Sequence, residues 1–525
     1  MTVLENLWFR RLLAGLSGLL AGYAALAVAE LVAAAAVRPE AGPVTAVGGA
    51  AIDRTPAPVK DWAIRTFGES DKLVLQLGIV AVLAALAVVL GLVALRHRRV
   101  GAAGVLLFGV VGAVAATSRP DSDSFTDGVP SLAGALAGAA LLRWLTGLLI
   151  APARAAASAS GEGWDRRGFL IAASAAAVAS TGAGVVGRTL GASRARDATS
   201  SRAAVVLPRP DSLAAPVPKG AQLRVAGVSR FVTPNKDFYR VDTALVVPTV
   251  DATRWRLRIH GRGVRRPLTL TFQDLLDREL VERDITLACV SNEVGGPYVG
   301  NARWIGVRLA DLLAEAGVKP PSKGGPADQL VARSVDGMTL GTPVEDVMDG
   351  RDALLAVGMN GEPLPFDHGF PVRMVVPGLY GYVSACKWIE DIELTTFDAY
   401  DPYWVKRTWA REAPIKTQSR IDTPKPFARP AAGIVMVAGV AWAQHRGIDV
   451  VEVRVDDAPW ERADLATEGT IDTWRQWSFP WKATPGSHTL TVRATDRTGQ
   501  TQTEKRTRTI PDGASGWHSV VVTVD

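Results

Sequence analysis

A chain of 525 residues exceeds what one hydrophobic core normally organises, so several domains are expected. The net charge of +6 is spread along the chain with no dense basic block interleaved with aromatic residues, which argues against nucleic acid as a partner. Only two cysteines occur, Cys289 and Cys386, and that excludes the disulfide framework of small secreted domains.

Apolar residues are concentrated before about position 190, and the remainder has the composition of an ordinary soluble protein. Runs of roughly 20 apolar residues, the length that crosses a bilayer, lie at about 12–37, 73–95, 100–117, 131–153 and 169–187. They predict an all-α transmembrane domain over 1–190, with about five helices in contact with membrane lipid. Their Ala and Gly content suits close helix packing in lipid. Arg10 and Arg11, then Arg96, Arg98 and Arg99, then Arg154, Arg166 and Arg167 fall in alternate connections, which assigns those to the cytoplasm. Asp121, Asp123 and Asp127 mark an outer connection, and an odd number of crossings places everything after about 190 outside the cytoplasm, as a multi-pass protein of the cell membrane. Asp165-Arg-Arg-Gly-Phe-Leu170 resembles a twin-arginine export signal, the route for cargo that folds before it crosses. His97 is the only histidine before 190, and no methionine occurs between Met1 and Met338, so these helices lack the paired ligands of a haem. Anchoring, or contact with a partner carrier, is the role left. Glu30 and Arg143 are the deepest ionisable groups and support a transport path only weakly.

From 191 to 224 the chain is rich in Ala, Ser, Arg and Pro, and Pro208, Pro210, Pro216 and Pro218 predict a semi-extended linker. Residues 225–428 mix alternating strands such as Trp255–His260 with short capped helices at Thr271–Asp277 and Leu309–Glu315, which predicts an α+β domain. From 429 to 525 the pattern has period two, as in Val451–Val455 and His488–Ala494, and predicts an all-β sandwich.

Asp284-Ile-Thr-Leu-Ala-Cys-Val-Ser-Asn-Glu-Val-Gly-Gly296 sets one cysteine at the end of an apolar strand, before polar residues and a Gly pair. Such a thiol is a nucleophile or a soft metal ligand, and a small buried hydrophobe is the plain alternative. This stretch resembles the molybdenum-binding segment of the sulfite oxidase family of molybdopterin-dependent oxidoreductases. The resemblance continues in family order through Trp304-Ile-Gly-Val-Arg-Leu309, Met359-Asn-Gly-Glu-Pro-Leu-Pro365, His368-Gly-Phe-Pro-Val-Arg-Met-Val-Val-Pro-Gly378 and Gly381-Tyr-Val-Ser-Ala-Cys-Lys-Trp388. The strand-rich end is similar to the family's immunoglobulin-like dimerisation domain, which implies a homodimer.

The resemblance implies a Mo-molybdopterin cofactor, with Cys289 as metal ligand and catalytic centre. By matching positions it implies that His368, Arg373, Ser384 and Lys387 hold the phosphate and pterin. Thr233-Pro-Asn-Lys-Asp-Phe-Tyr-Arg240 is closest to the periplasmic methionine sulfoxide reductase branch and adds Asn235, Tyr239 and Arg240, with Asp336 as a further contact. Pro234 stands where animal and plant sulfite oxidases have an arginine, and Trp409 where they have an active-site tyrosine, which moves the substrate away from sulfite. The expected activity is oxygen-atom transfer on a small molecule, an S- or N-oxide or a small anion, with electrons exchanged through an external donor or acceptor. A true sulfite oxidase, an anchored binding module with a vestigial cofactor fold, and a cysteine hydrolase built on Cys289 and His368 are the alternatives.

Overall fold

A computed structural model describes residues 3–37, 41–55, 59, 62, 66–67, 71–119, 122, 124–150, 166–244 and 246–525. The chain divides into two units, Met1–Asp197 with Ala244–Val247, and Ala198–Thr243 with Pro248–Asp525.

The first unit is helical: α1 (Val3–Ala36), α2 (Pro43–Arg54), α3 (Asp71–Arg96), α4 (Arg98–Thr117), α5 (Val129–Ile150) and α6 (Arg166–Ala204), whose last turns belong to the second unit. Five of these, all but α2, contain spans long and apolar enough to cross a membrane, in agreement with the sequence periodicity. α1 and α3 approach backbone to backbone. A Cβ on Gly18 would collide with the Ala87 carbonyl, and one on Gly91 with that of Ala14. The short helix α2, with Pro43 in its first turn, was not expected, because 12 residues of moderate hydropathy fall below the spanning length. Asp121, Asp123, Arg154 and Asp165 lie outside the described residues.

The expected linker begins later than the composition suggested. Gly191–Ala204 carries no proline, consists largely of Ala, Arg and Ser, and continues α6; irregular backbone starts at Val205, just before Pro208.

In the second unit, β1 (Arg256–Gly261), β2 (Leu268–Thr271), β5 (Gln329–Ser334), β6 (Thr339–Pro343) and β10 (Ile389–Thr395) form one sheet in the order β2-β1-β10-β5-β6, with β1 parallel to β10. The alternation that predicted β1 is borne out: Leu257 and Ile259 point into the core and Arg256 and Arg258 point out. α7 (Phe272–Leu276) starts on a capping box between Thr271 and Asp274, as its sequence indicated. α8 (Leu309–Glu315) likewise covers the expected segment. A second, antiparallel sheet joins β3 (Val281–Ala288), β4 (Val299–Arg308), β7 (Leu354–Met359) and β8 (Glu362–Pro363), with β9 (Arg373–Val375) on β7.

After these come two antiparallel four-stranded sheets. One contains β11 (Gln418–Thr423), β12 (Gly433–Trp442), β15 (Asp464–Leu465) and β16 (Arg475–Ala483), and the other β13 (Ile448–Val455), β14 (Glu461–Arg462), β17 (Gly486–Asp496) and β18 (His518–Val524). They enclose their own apolar core around Val451, Trp477, Val492 and Val522.

The link between this core and the strand that leads to Cys289 is polar. On β3 the buried Thr286 hydroxyl donates to Asn301 Oδ1 on β4 at 3.0 Å and accepts the Trp474 N–H at 2.8 Å. The Thr286 carbonyl accepts from Gln444 Nε2 at 2.8 Å, its N–H donates to the Asp472 carbonyl, and Asn301 Nδ2 reaches the Phe231 carbonyl at 2.9 Å. Substituting Thr286→Val keeps the shape but leaves the Trp474 N–H and the Asn301 carbonyl oxygen unpaired in the interior. At about 1–3 kcal/mol for each orphaned group, the expected loss is on the order of 3 kcal/mol. Urea unfolding followed by tryptophan fluorescence checks this, and a midpoint equal to wild type would remove the network as a support of β3.

Candidate active site

Cys289 follows β3 directly and is buried, and its N–H donates to the Tyr298 carbonyl at 2.9 Å. Asn292 shapes the loop back to β4: its N–H donates to the Cys289 carbonyl at 3.1 Å and its Oδ1 accepts the Tyr298 N–H at 2.8 Å. Burial pushes the Cys289 thiol up, opposed by hydrogen bonds from the Ser291 N–H and hydroxyl and by the Lys387 charge. The loop leans on the terminal sheets, where Arg420 Nη1 donates to the Gly296 carbonyl at 2.8 Å and His518 fills the space beside Gly295. Gly295 has φ +79°, and a side chain there would meet both a left-handed backbone and the His518 ring.

Asn235, Tyr239, His368 and Arg373 come together around Phe238. The Phe238 ring stacks on Tyr239 with centroids 5.1 Å apart and meets His368 edge-on at 5.5 Å. Asn235 is held by its side chain, which donates to the Met359 carbonyl and to Glu362 and accepts from Asn360 Nδ2 at 2.7 Å. Its backbone carbonyl accepts from His368 Nε2 at 2.9 Å, so the proton of the neutral ring sits on Nε2 and Nδ1 is left as an acceptor. Burial, and then the Arg373 charge, push His368 down to about 4, so the ring is neutral at pH 7. Burial, then the neighbouring Cys289, raise the Tyr239 phenol, which keeps its proton.

Arg373, on β9, is 6% exposed. Its guanidinium lies 5.3 Å from the Trp304 ring centroid, and its Nη1 makes a long bond of 3.4 Å to the His368 carbonyl. Nε is buried without a hydrogen-bond partner, and no carboxylate pairs with the group among the described residues. An unpaired charge in the interior costs several kcal/mol, so this arrangement fits an anionic ligand.

Arg240, Lys387 and Asp336 form an adjoining cluster through residues that sequence reasoning missed. Lys387 Nζ donates to Asp242 Oδ2 at 2.9 Å and to the Asp367 carbonyl at 3.2 Å, 4.5 Å over the Trp388 ring. Arg240 bridges Asp242 at 3.7 Å and Asp367 at 3.3 Å. Asp336, raised mainly by burial, accepts from Thr243 Oγ1 at 3.4 Å and from the Met338 N–H at 3.3 Å. Asp242 and Ser291 carried no recognisable pattern; their nearness in sequence to Arg240 and Cys289 was the available signal. Ser384, in α9 (Gly381–Ser384), donates its hydroxyl to the Leu379 and Tyr380 carbonyls, each at 3.0 Å, which leaves that hydroxyl only lone pairs for a ligand. No hydrogen bond joins Cys289 to His368 among the described residues, against the pairing a cysteine hydrolase needs. Cys386 is buried and its thiol stands well above the ordinary range, as in an inert structural cysteine. Trp409 packs on Tyr382 at 5.5 Å and Trp404 at 5.7 Å.

Residues 244–404 match the family described as the oxidoreductase molybdopterin binding domain. The mitochondrial sulfite oxidase of Mus musculus is 30% identical over 293 residues, covering 47% of this chain and 53% of that protein. The uncharacterized oxidoreductase YuiH of Bacillus subtilis (strain 168) is 36% identical over 145 residues, covering 28% of this chain and 67% of that protein. The chain spans about half the length of the curated sulfite oxidases it matches. Among solved structures, the sulfane dehydrogenase SoxCD from Paracoccus pantotrophus aligns at 25% identity with a TM-score of 0.48, over 57% of this chain and 85% of that one.

Two rings held neutral give this unit an acid limit. His368 and His518 both titrate at about 4, His518 through burial and the Arg420 charge while its Nδ1 accepts the Ile421 N–H at 3.0 Å. An unfolded histidine titrates near 6.5, so between those values the unfolded chain binds more protons and stability falls as pH drops. The contribution is intact above about pH 6.5 and is lost toward pH 4, on the order of 3 kcal/mol for His368. Melting temperatures across this range should fall in wild type and flatten in H368Q/H518Q; equal slopes in both proteins would overturn the assignment.

Proposed function

Because this chain belongs to the sulfite oxidase family of molybdopterin-dependent oxidoreductases, we propose that Cys289, Arg373 and their neighbours hold Mo-molybdopterin for oxygen-atom transfer on a small substrate, with electrons exchanged through an external partner. The observation that carries the residue assignment is Arg373, a buried guanidinium with an orphaned Nε and no carboxylate partner among the described residues, beside the same Tyr239 phenol as the buried Cys289 thiol.

When bound, the cofactor supplies a metal that passes between oxidation states and takes or gives an oxygen atom. Cys289 contributes the thiolate ligand, and the Ser291 donors together with the Lys387 charge offset what burial costs that anion. Arg373 and Lys387 bind the anionic portion, with Lys387 held in position by Asp242. His368 presents Nδ1 as an acceptor to the ligand, and Tyr239 holds a proton on Oη as a donor beside the thiol. Asn235 orients the His368 ring through its carbonyl. Pro234 and Trp409 favour an S- or N-oxide over sulfite in this reading.

The loop arginines support a cytoplasmic start and an extracytoplasmic catalytic unit, with Arg166-Arg167 as the export signal. The two terminal sheets are the immunoglobulin-like dimerisation domain of this scheme.

The purified chain from a cofactor-competent host should contain molybdenum. Cys289→Ser should change its molybdenum electron paramagnetic resonance signal, and Arg373→Gln should lower retained pterin about tenfold or more, as expected for loss of a buried charge-assisted contact. Spectra unchanged in Cys289→Ser would falsify the ligand assignment. An activity reporter fused after Ala204 should respond only outside the cytoplasm, lysines at 166 and 167 should block its export, and the purified chain should sediment as a dimer. A cytoplasmic response would reverse the topology.

A further inference from the structure

Arg202 lies in the last turn of α6 and reaches a part of the second unit far from it in sequence. Its Nε donates to the Leu364 carbonyl and its Nη2 to the Pro363 carbonyl, each at 2.7 Å, and Nη2 stands 3.9 Å from Glu362 Oε2. An arginine near a helix C-terminus commonly satisfies the open carbonyls of its own helix. This one forks across two carbonyls that are 161 and 162 positions away. The segment it grips has few other bonds. β8 is two residues long and lies at the edge of its sheet. Pro363 and Pro365 have no N–H, so between Glu362 and Phe366 only Leu364 supplies one, to the Val357 carbonyl at 3.2 Å. The helix end is itself held: the Ser201 hydroxyl accepts the Ala252 N–H at 3.1 Å, and Leu207, just past α6, lies against Gly358 of β7.

The same segment supports both sides of one contact in the pocket. At its start, Glu362 Oε1 accepts from Asn235 Nδ2 at 2.5 Å. At its end, the Pro365 carbonyl accepts the His368 N–H at 3.0 Å and closes the Phe366–His368 turn, from which His368 Nε2 donates to the Asn235 carbonyl at 2.9 Å. The Asp367 carbonyl in that turn accepts from Lys387 Nζ at 3.2 Å. Asn235, His368 and Lys387 therefore share one scaffold, and Arg202 bonds to its middle residues.

We propose that Arg202 is a positioning residue for the pocket: by fixing Pro363 and Leu364 it sets the Asn235 side chain and the His368 ring in the arrangement that receives the cofactor. The inference rests on the cofactor reading of the preceding subsection. It gives α6 a second role, because the helix that carries the last apolar span also completes the scaffold of the binding pocket.

The test uses the full chain, with hydrogen–deuterium exchange read by mass spectrometry and with molybdenum and pterin measured on the same samples. Arg202→Ala should speed exchange in peptides spanning 362–370 about tenfold, as expected where a segment loses one to two net hydrogen bonds, and should lower retained pterin about fivefold. Arg202→Lys keeps the charge but cannot fork across two carbonyls, and should fall between wild type and Arg202→Ala in both measurements. Ser201→Ala removes a neighbouring bond of the same helix end and should leave both at wild-type values. Wild-type exchange and pterin in Arg202→Ala, or the same change in Ser201→Ala, would overturn the proposal. Faster exchange spread over the whole second unit would also overturn it, by making Arg202 a support of the fold at large. A molybdenum-free wild type in which Arg202→Ala still frees 362–370 would sink the cofactor reading and leave the brace standing. A molybdenum-loaded wild type matched by Arg202→Ala in exchange and pterin would sink the brace alone.

Discussion

The strand that presents Cys289 is fixed by one buried threonine, through its hydroxyl and its backbone. Thr286 ties β3 to Asn301 on its neighbour and to Trp474, Gln444 and Asp472 of the terminal sheet region, all within hydrogen-bond distance. A buried network of this kind specifies a single packing, and in this one Gln444 Oε1 is the member atom left without a partner among the described residues. The sheet holding the cysteine strand and the two terminal sheets are thus mutually dependent. Arg420 on the Gly296 carbonyl, and the His518 ring beside Gly295, extend the dependence to the loop that follows the cysteine. Separating the terminal strands from the rest would strand several buried donors at once.

The cations of the pocket are treated in two ways. Lys387 and Arg240 share the Asp242 carboxylate, and Arg240 also pairs with that of Asp367, so their charges are compensated and their geometry is set. Among the described residues Arg373 has no such partner, and it rests on the Trp304 face and one long bond. Its charge lowers His368 and is itself disfavoured by burial. A positively biased interior with a neutral acceptor ring and a protonated phenol suits a ligand that is anionic at one end and polar at the other.

Much of this was legible in the sequence because it depended on local pattern. Continuous apolar runs marked the spanning helices, Thr271 and Asp274 marked a capped helix, and alternation marked β1, β13 and β17. The residues around Cys289 were found through ordered motifs rather than periodicity. What escaped was set by distance in three dimensions. Asp242 lies in an irregular segment and meets Lys387 across 145 positions, and the Ser384 hydroxyl donates to two backbone carbonyls of its own turn, a local bond that no motif spells out. The overrun of α6 to Ala204 had a local cause that weighting the later prolines obscured.

Asn235, Cys289, Arg373 and Lys387 are drawn from a 3-10 turn, the end of β3, a strand paired on one side only and the bend after a short helix. A ligand that touches all four closes several long loops simultaneously, so it acts as a staple on the native chain and binds the unfolded one hardly at all. Its binding free energy is then added to the stability of the fold. Loading becomes a maturation step with its own kinetics: a chain waiting for its ligand opens more often and is the preferred target of proteases, and a loaded chain persists. The supply of one small molecule can in this way set how much of the protein a cell retains.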